Sequence, residues 1–156
     1  MRRNTYPSGF TLVELVVIIV LLGILSIYAA PRFLHSQDFA TRGYFDELLQ
    51  ASRYAQKLAV ASNCEARITI AANSFTLEQP AAANQCGNPT TWQTVSLPGI
   101  APPYSAPGGV TVTAGTGPIT FNGEGQASAG PIVTVSGNGN SFRFQVYPAT
   151  GFVRRL

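Results

Sequence analysis

From Phe10 to Ala30 the chain reads FTLVELVVIIVLLGILSIYAA, apolar on every side of a helix and broken by a single charge, Glu14. A helix with no polar face belongs in a large core or in lipid. At 1.5 Å per residue the run rises about 31 Å, enough for a hydrocarbon core of about 30 Å. Beyond Pro31 the pattern changes. From Phe45, the apolar and small residues Leu48, Leu49, Ser52, Ala55, Leu58 and Ala59 recur at helical spacing, with Asp46, Glu47, Arg53 and Lys57 on the other side. This period predicts a helix continuing to about Ser62, disturbed at Pro31 and near Gly43, with its stripe packed on the segment that follows.

After Asn63 the helical period gives way to short alternating runs. Twelve of the 15 glycines and nine of the 11 prolines fall between Ala66 and Leu156 and separate them. Ala66–Ala71 and Ser74–Gln79 read as a hairpin around Asn73. Thr91–Leu97, Val110–Thr113 and Ile119–Phe121 read as shorter strands. Ile132–Ser136 and Ser141–Tyr147 flank Gly137-Asn138-Gly139-Asn140, a strong hairpin signal. Phe152–Arg155 follows the Ala149-Thr150-Gly151 turn, and Pro98–Gly109 reads as a loop. The fold class is α+β: a long N-terminal helix, spanning a membrane in its first half, packed on an antiparallel β-rich head.

Composition narrows the function. The chain has 156 residues, room for one modest domain, and 11% charged residues against 46% hydrophobic ones. Disordered tails are far more charged. The net charge of +3 includes Arg2 and Arg3 at the N-terminus. From Cys64 onward four arginines face three glutamates, a poor footprint for phosphate. The glycine-rich segments lack the third glycine of GxGxxG and are followed by strands, not by a helix N-terminus that would hold a phosphate. His35, the only histidine, sits beside Arg32 and reads as an interfacial side chain. Past Glu47 the only carboxylates are Glu65, Glu78 and Glu124, too few for paired catalytic acids or a calcium loop. The sequence therefore predicts no enzyme, no cofactor and no metal.

Glu14 needs an explanation. A charge inside a membrane helix costs roughly 2.5–3.5 kcal/mol at the centre and less near an end, and by default it is functional and paired. A secretory signal leaves it unexplained and puts Ile27 or Tyr28 at the −3 position of its cleavage site. An ordinary single-pass anchor gives no reason for it. A new α-amino group at the same depth on a neighbouring helix does. That requires cleavage just before Phe10, after the polar leader MRRNTYPSG.

At this point Gly9-Phe10-Thr11-Leu12-Val13-Glu14-Leu15, followed by the apolar run, resembles the class III signal of type IV pilins and type II secretion pseudopilins. The resemblance covers the first third of the chain. It implies that a prepilin peptidase cuts between Gly9 and Phe10 and methylates the new amine, which stays positive and pairs with Glu14 of an adjacent subunit. Gly23 and Pro31 match positions of local helix loosening in such filaments. The implied segments are a leader at 1–9, a transmembrane half-helix at 10–30, an amphipathic half at 31–63 and a periplasmic head at 64–156. The implied partners are the peptidase, other major and minor pilins, the inner-membrane assembly platform and, before assembly, inner-membrane lipid. The leader arginines stay cytoplasmic, in line with the positive-inside bias.

Tyr28-Ala29-Ala30-Pro31-Arg32-Phe33 resembles pilins of the mannose-sensitive haemagglutinin (MSHA) system. The glycine-punctuated late strands and the ending Thr150-Gly151-Phe152-Val153-Arg154-Arg155 resemble minor pilins and pseudopilins of the GspH/FimT type. Together they imply a minor, MshC-like subunit, few per fibre, that initiates or caps a pilus. The alternatives are a GspH-type pseudopilin of type II secretion, or a minor pilin whose head binds DNA or a surface. Arg154 and Arg155 are the DNA candidates, although the segment departs from the Gly-Arg-x-Arg ending of DNA-uptake relatives, and nucleic acid is not the expected partner. Adhesion through Pro98–Gly109 or Tyr104 has no positive signal. In an oxidising periplasm Cys64 and Cys86 form a disulfide, tying the helix end to the loop after the second strand.

Overall fold

The computed structural model describes residues 10–33, 36–100, 102–115 and 117–156, with backbone alone at 27–33, 36, 37 and 83. The leader 1–9, with Gly9, and His35 lie outside the described residues. The chain divides into two compact units, Met1–Ser36 and Gln37–Leu156. The first holds helix α1 (Leu12–Phe33), and α2 (Ser36–Ser62) opens at the boundary and belongs to the second.

In α2 the residues expected to form a stripe are the ones that disappear from solvent. Phe45, Leu48, Ala51, Ser52, Ala55 and Ala59 are fully buried, at the three- and four-residue spacing of one helix face. Small residues at four of these six positions let two sheets approach the helix closely. The buried Ser52 hydroxyl donates to the Leu48 carbonyl at 2.9 Å, so its burial leaves no polar group unsatisfied. The disturbance expected near Gly43 does not occur. The helix runs through Gly43, held by the burial of Thr41, Tyr44 and Phe45 on either side of it.

Nine strands follow among the described residues: β1 (Ala66–Ile70), β2 (Ser74–Pro80), β3 (Trp92–Thr94), β4 (Tyr104–Ser105), β5 (Val110–Thr113), β6 (Ile119–Phe121), β7 (Ile132–Gly137), β8 (Asn140–Tyr147) and β9 (Phe152–Arg155). They form two antiparallel sheets. One has the order β3-β2-β1-β6 with β4 also on β2, and the other the order β5-β7-β8-β9. In β7 and β8, Asn138 and Gly139 take φ of 50° and 79°, the two positive values a two-residue type I′ turn requires. The register then pairs Gly137 with Asn140 and Val135 with Phe142. Asn138 and Asn140 donate from their side-chain amides to Asp38 at 3.0 and 2.8 Å, fastening the start of α2 to this turn.

Pro98–Gly109 is not wholly a loop. Tyr104 is buried and, with Ser105, pairs with Phe75 and Ser74 as β4. Its ring stacks on Phe75 with centroids 4.8 Å apart, and its hydroxyl accepts from the Leu97 N–H at 2.6 Å while donating to the Ile100 carbonyl. A two-residue strand has no period of its own, so only this tertiary pairing defines it. Tyr104 is therefore a core residue and offers no adhesive surface. Against the other sheet, Phe45 lies next to Phe142 and Phe144 of β8 with centroids 5.5 and 6.0 Å away.

Tyr44 closes the first aromatic cluster, 6.0 Å from Phe75, and its hydroxyl donates to the Tyr104 carbonyl at 3.5 Å. Burial, and then the Glu47 carboxylate, push its phenol up to about 12 from 10.0. A raised pKa favours the folded protein below pH 10, and that contribution is lost as the pH climbs towards 12. Urea unfolding of the detergent-solubilised chain should therefore show a drop in stability between pH 9 and pH 11.5 that Tyr44→Phe largely removes. Parallel pH curves for the two proteins would contradict this assignment.

The sheet margins are occupied. Arg53 of α2 donates to the Val153 carbonyl on the outer margin of β9 at 3.3–3.4 Å. Val112 of β5 donates its N–H to the Ala72 carbonyl at 2.8 Å. In β6, the Thr120 N–H donates to the Ser128 hydroxyl and the Ser128 N–H to the Thr120 carbonyl. The remaining margin consists of β3 and β4, three and two residues long.

Candidate functional site

The N-terminus of α1 is built by Thr11. Its Oγ1 accepts the Glu14 N–H at 3.2 Å, and its carbonyl accepts the Leu15 N–H at 3.2 Å. Thr11-Leu12-Val13-Glu14 thus has the T-x-x-E spacing of a capping box, with Thr11 at the N-cap and Glu14 at N3. The carboxylate also sits in the first turn, where the helix dipole favours negative charge. Phe10, the residue before the cap, is 77% exposed.

From Leu12 to Leu25 every large apolar side chain of α1 is exposed, from 40% at Ile18 to 78% at Leu12. Apolar area on all sides of one helix has a large unrealised burial energy, at roughly 25 cal/mol per Å². Gly23 lies inside α1, with open space where a Cβ would stand. Pro31 lies in its last turn. Among the described residues no helix is long and apolar enough to cross a membrane.

In the head, Cys64 and Cys86 are joined with sulfurs 1.96 Å apart. The bridge links the residue just past α2 to the end of the short 3-10 turn Ala83–Gln85. Closing a loop of 22 residues contributes about 3 kcal/mol in the chain-entropy account. Glu65 adds a second tie, accepting the Gly87 N–H at 2.6 Å. Among the described residues no cluster of three or more His, Cys, Asp or Glu could hold a metal ion.

Arg154 and Arg155 do not form one basic patch, because neighbouring residues of a strand face opposite ways. Arg155 turns towards α2, 3.7 Å from Asp46 and with its guanidinium 4.9 Å from the centre of the Phe45 ring. Arg154 lies on the outer face with Tyr147 and Phe152, whose rings are 6.4 Å apart.

Two features of α2 escaped sequence reasoning. Gln56 donates to the carbonyls of Gly125 and Thr150 at 3.2 and 2.7 Å, gathering two distant loops at one helix position. A groove of about 740 Å³ runs along the solvent side of α2, walled by Tyr54 and by the turn from Leu97 to Ile100, with Glu47 near one end and Lys57 near the other. The only sequence signal for it was two apolar residues, Leu97 and Ile100, within a proline- and glycine-rich stretch. Desolvation in this groove raises the Glu47 carboxyl above its ordinary value.

Residues 45–150 match the family model described as type II transport protein GspH, and residues 6–30 match the prokaryotic N-terminal methylation motif. The type IV narrow pilus major component PilA5 of Thermus thermophilus is 42% identical over 52 residues, which are 33% of this chain and 45% of that protein. The chain thus spans less than half the length of that relative. The minor pseudopilin EpsH of the Vibrio cholerae type 2 secretion system superposes with a TM-score of 0.57 at 14% identity, over 71% of this chain and 91% of that one. The type IV minor pilin FimU of Pseudomonas aeruginosa gives 0.52 at 12% identity, over 74% and 87%. These two likenesses establish the fold.

Proposed function

We propose a filament-building role for this chain, which belongs to the family of type II transport protein GspH and is thereby a type IV pilin or pseudopilin. The observation that carries the role is α1: an apolar helix exposed on all sides, with one carboxylate in its first turn. In water such a surface has no stable resting place, whereas lipid and then the helices of other subunits supply one.

In this reading a prepilin peptidase removes Met1–Gly9 and methylates Phe10. The run from Phe10 to Ala30 crosses the inner membrane once, with the 64–156 head in the periplasm. The assembly platform then draws the helix from lipid into a bundle of pilin helices. There Glu14 accepts the charged Phe10 amine of an adjacent subunit, which offsets the burial of the carboxylate and fixes the axial register. Gly23 and Pro31 are the positions where the helix loosens as it packs. The subunit is a minor one of an MSHA-type pilus, acting in the initiation or tip complex. The MSHA assignment rests on Tyr28–Phe33, the minor assignment on the GspH-type head. The head contributes packing surface and no catalysis.

Intact mass with N-terminal fragmentation, on chain extracted from a host that carries its peptidase, tests the reading. Loss of Met1–Gly9 with one added methyl on Phe10 is expected. An unprocessed N-terminus would make the chain an anchored domain outside any filament.

A further inference from the structure

The two faces of the sheet formed by β5, β7, β8 and β9 are built differently. Inward, Val133, Val135, Phe144, Val146 and Val153 are buried in the core. Outward, alternation puts Thr134, Arg143, Gln145, Tyr147, Phe152 and Arg154 on one surface. The register sets them side by side: Thr134 with Arg143, Gln145 with Arg154, and Tyr147 with Phe152. Arg143 and Arg154 are therefore diagonal neighbours, about 7–8 Å apart at the backbone. No Asp or Glu occurs in any strand of this sheet, so no acidic side chain of the sheet balances the two guanidiniums. Elsewhere in the chain Arg53, Arg67 and Arg155 are engaged, with the Val153 carbonyl, Glu78 and Asp46. Arg143 and Arg154 make no hydrogen bond or ion pair among the described residues. Beside them stands an aromatic pair. Phe152 is 55% exposed, its ring centre is 6.4 Å from that of Tyr147, and both rings line a shallow depression of about 540 Å³ together with Thr150 and Arg154.

From this arrangement we infer that the outer face binds an acidic polysaccharide, a chain of pyranose rings that carry carboxylates. A pyranose presents a face of C–H groups, which rests against the negative face of an aromatic ring; Phe152 and Tyr147 supply such rings at the solvent boundary. A guanidinium takes a carboxylate through two parallel hydrogen bonds, and Arg143 and Arg154 are free to do so. Between and beside them the Gln145 amide and the Thr134 hydroxyl both donate and accept, as sugar hydroxyls require. Charge complementarity fixes the sign of the ligand, and the rings and uncharged polar groups fix its kind. A nucleic acid fits less well, because its binding grows with the number of phosphates neutralised and this face offers two cations. All of these residues belong to the head, so binding requires neither processing at Gly9 nor entry into a filament.

Affinity electrophoresis of the detergent-solubilised full-length chain tests this, in gels that contain polygalacturonate, its methyl ester, polyglutamate or single-stranded oligothymidine. Polygalacturonate should retard the chain with an apparent Kd about tenfold or more below those of the other three polymers, since it alone joins pyranose rings to carboxylates. Arg143→Gln and Arg154→Gln should each weaken binding about tenfold. Neither side chain has a hydrogen bond or ion pair to lose, so thermal unfolding of both variants should match wild type. Phe152→Ser should weaken binding about fivefold through the lost ring face. Arg42→Gln removes the same charge from α2 and should leave retardation unchanged. Equal retardation by the methyl ester or by polyglutamate would overturn the assignment, since rings alone or charge alone would then suffice. An equal loss in Arg42→Gln would overturn it too, by tracing the effect to net charge. Tighter binding of oligothymidine would give the face to nucleic acid instead, and no retardation by polygalacturonate would refute the site.

Discussion

Gly151→Ala is expected to destabilise the head by about 3 kcal/mol, a large share of the 5–15 kcal/mol that holds a typical domain. Two costs add. Gly151 has a φ of +60°, the left-handed region, where an L residue loses roughly 1–2 kcal/mol. The second cost is steric: a Cβ at this position would overlap the Gly125 carbonyl oxygen and crowd the Gln56 amide. Overpacking of that kind costs typically 1–3 kcal/mol. The crowding follows from Gln56, which draws the Gly125 and Thr150 carbonyls to one point of α2. Gly139→Ala is the control, since Gly139 has a φ of +79° but open space around it. It should lose only the backbone part, about 1–2 kcal/mol. Urea unfolding of the three proteins checks this, and equal losses at the two glycines would mean that the loops at Gly151 move apart freely.

The largest functional effect is expected at Glu14. Glu14→Leu should leave cleavage after Gly9 intact and lower recovery in sheared filaments about ten- to hundredfold, the range set by one charge-assisted hydrogen bond of about 1.5–3 kcal/mol. The structure gives Glu14 a competing role, because it occupies the N3 position of a capping box whose N-cap is Thr11. Glu14→Gln separates the two. Glutamine serves at N3 as glutamate does, but it carries no charge for a neighbour's amine. If pairing with the Phe10 amine is what Glu14 supplies, Gln should fail as badly as Leu. Gln assembling like wild type would reduce Glu14 to a capping residue.

Much of the head was legible because its signals are local. The Asn138-Gly139 turn, the alternation of β7 and β8, and the α2 stripe each depend on residues within one or two turns or a single hairpin. What the sequence did not reveal depends on partners far along the chain. β4 exists because Tyr104 finds Phe75, and α2 passes through Gly43 because residues on both sides of it are clamped in the core. Arg53 reads as a residue of the polar side and Gln56 carries no signal in the sequence, yet their hydrogen bonds go to carbonyls 69 to 100 residues away. The same holds for the arginine pair near the C-terminus. Its charge was visible, while its division between two faces of the sheet required the strand. The motif from Gly9 to Leu15 is the opposite case, since the resemblance it carries lies within seven consecutive residues.

The treatment of the sheet margins bears on what kind of polymer this chain can enter. Backbone groups left open at a strand's side are generic adhesive, able to recruit any extended segment in any register. Here a guanidinium, a serine hydroxyl and a turn carbonyl occupy them, and the remaining strands are too short to template another. Growth by strand addition is thereby suppressed. In the filament proposed for this chain, heads crowded together at high local concentration remain separate folded bodies while the helices do the joining. Under that proposal the polymer can be taken apart again, because dissolving it would require only that the helices part and would leave every head folded.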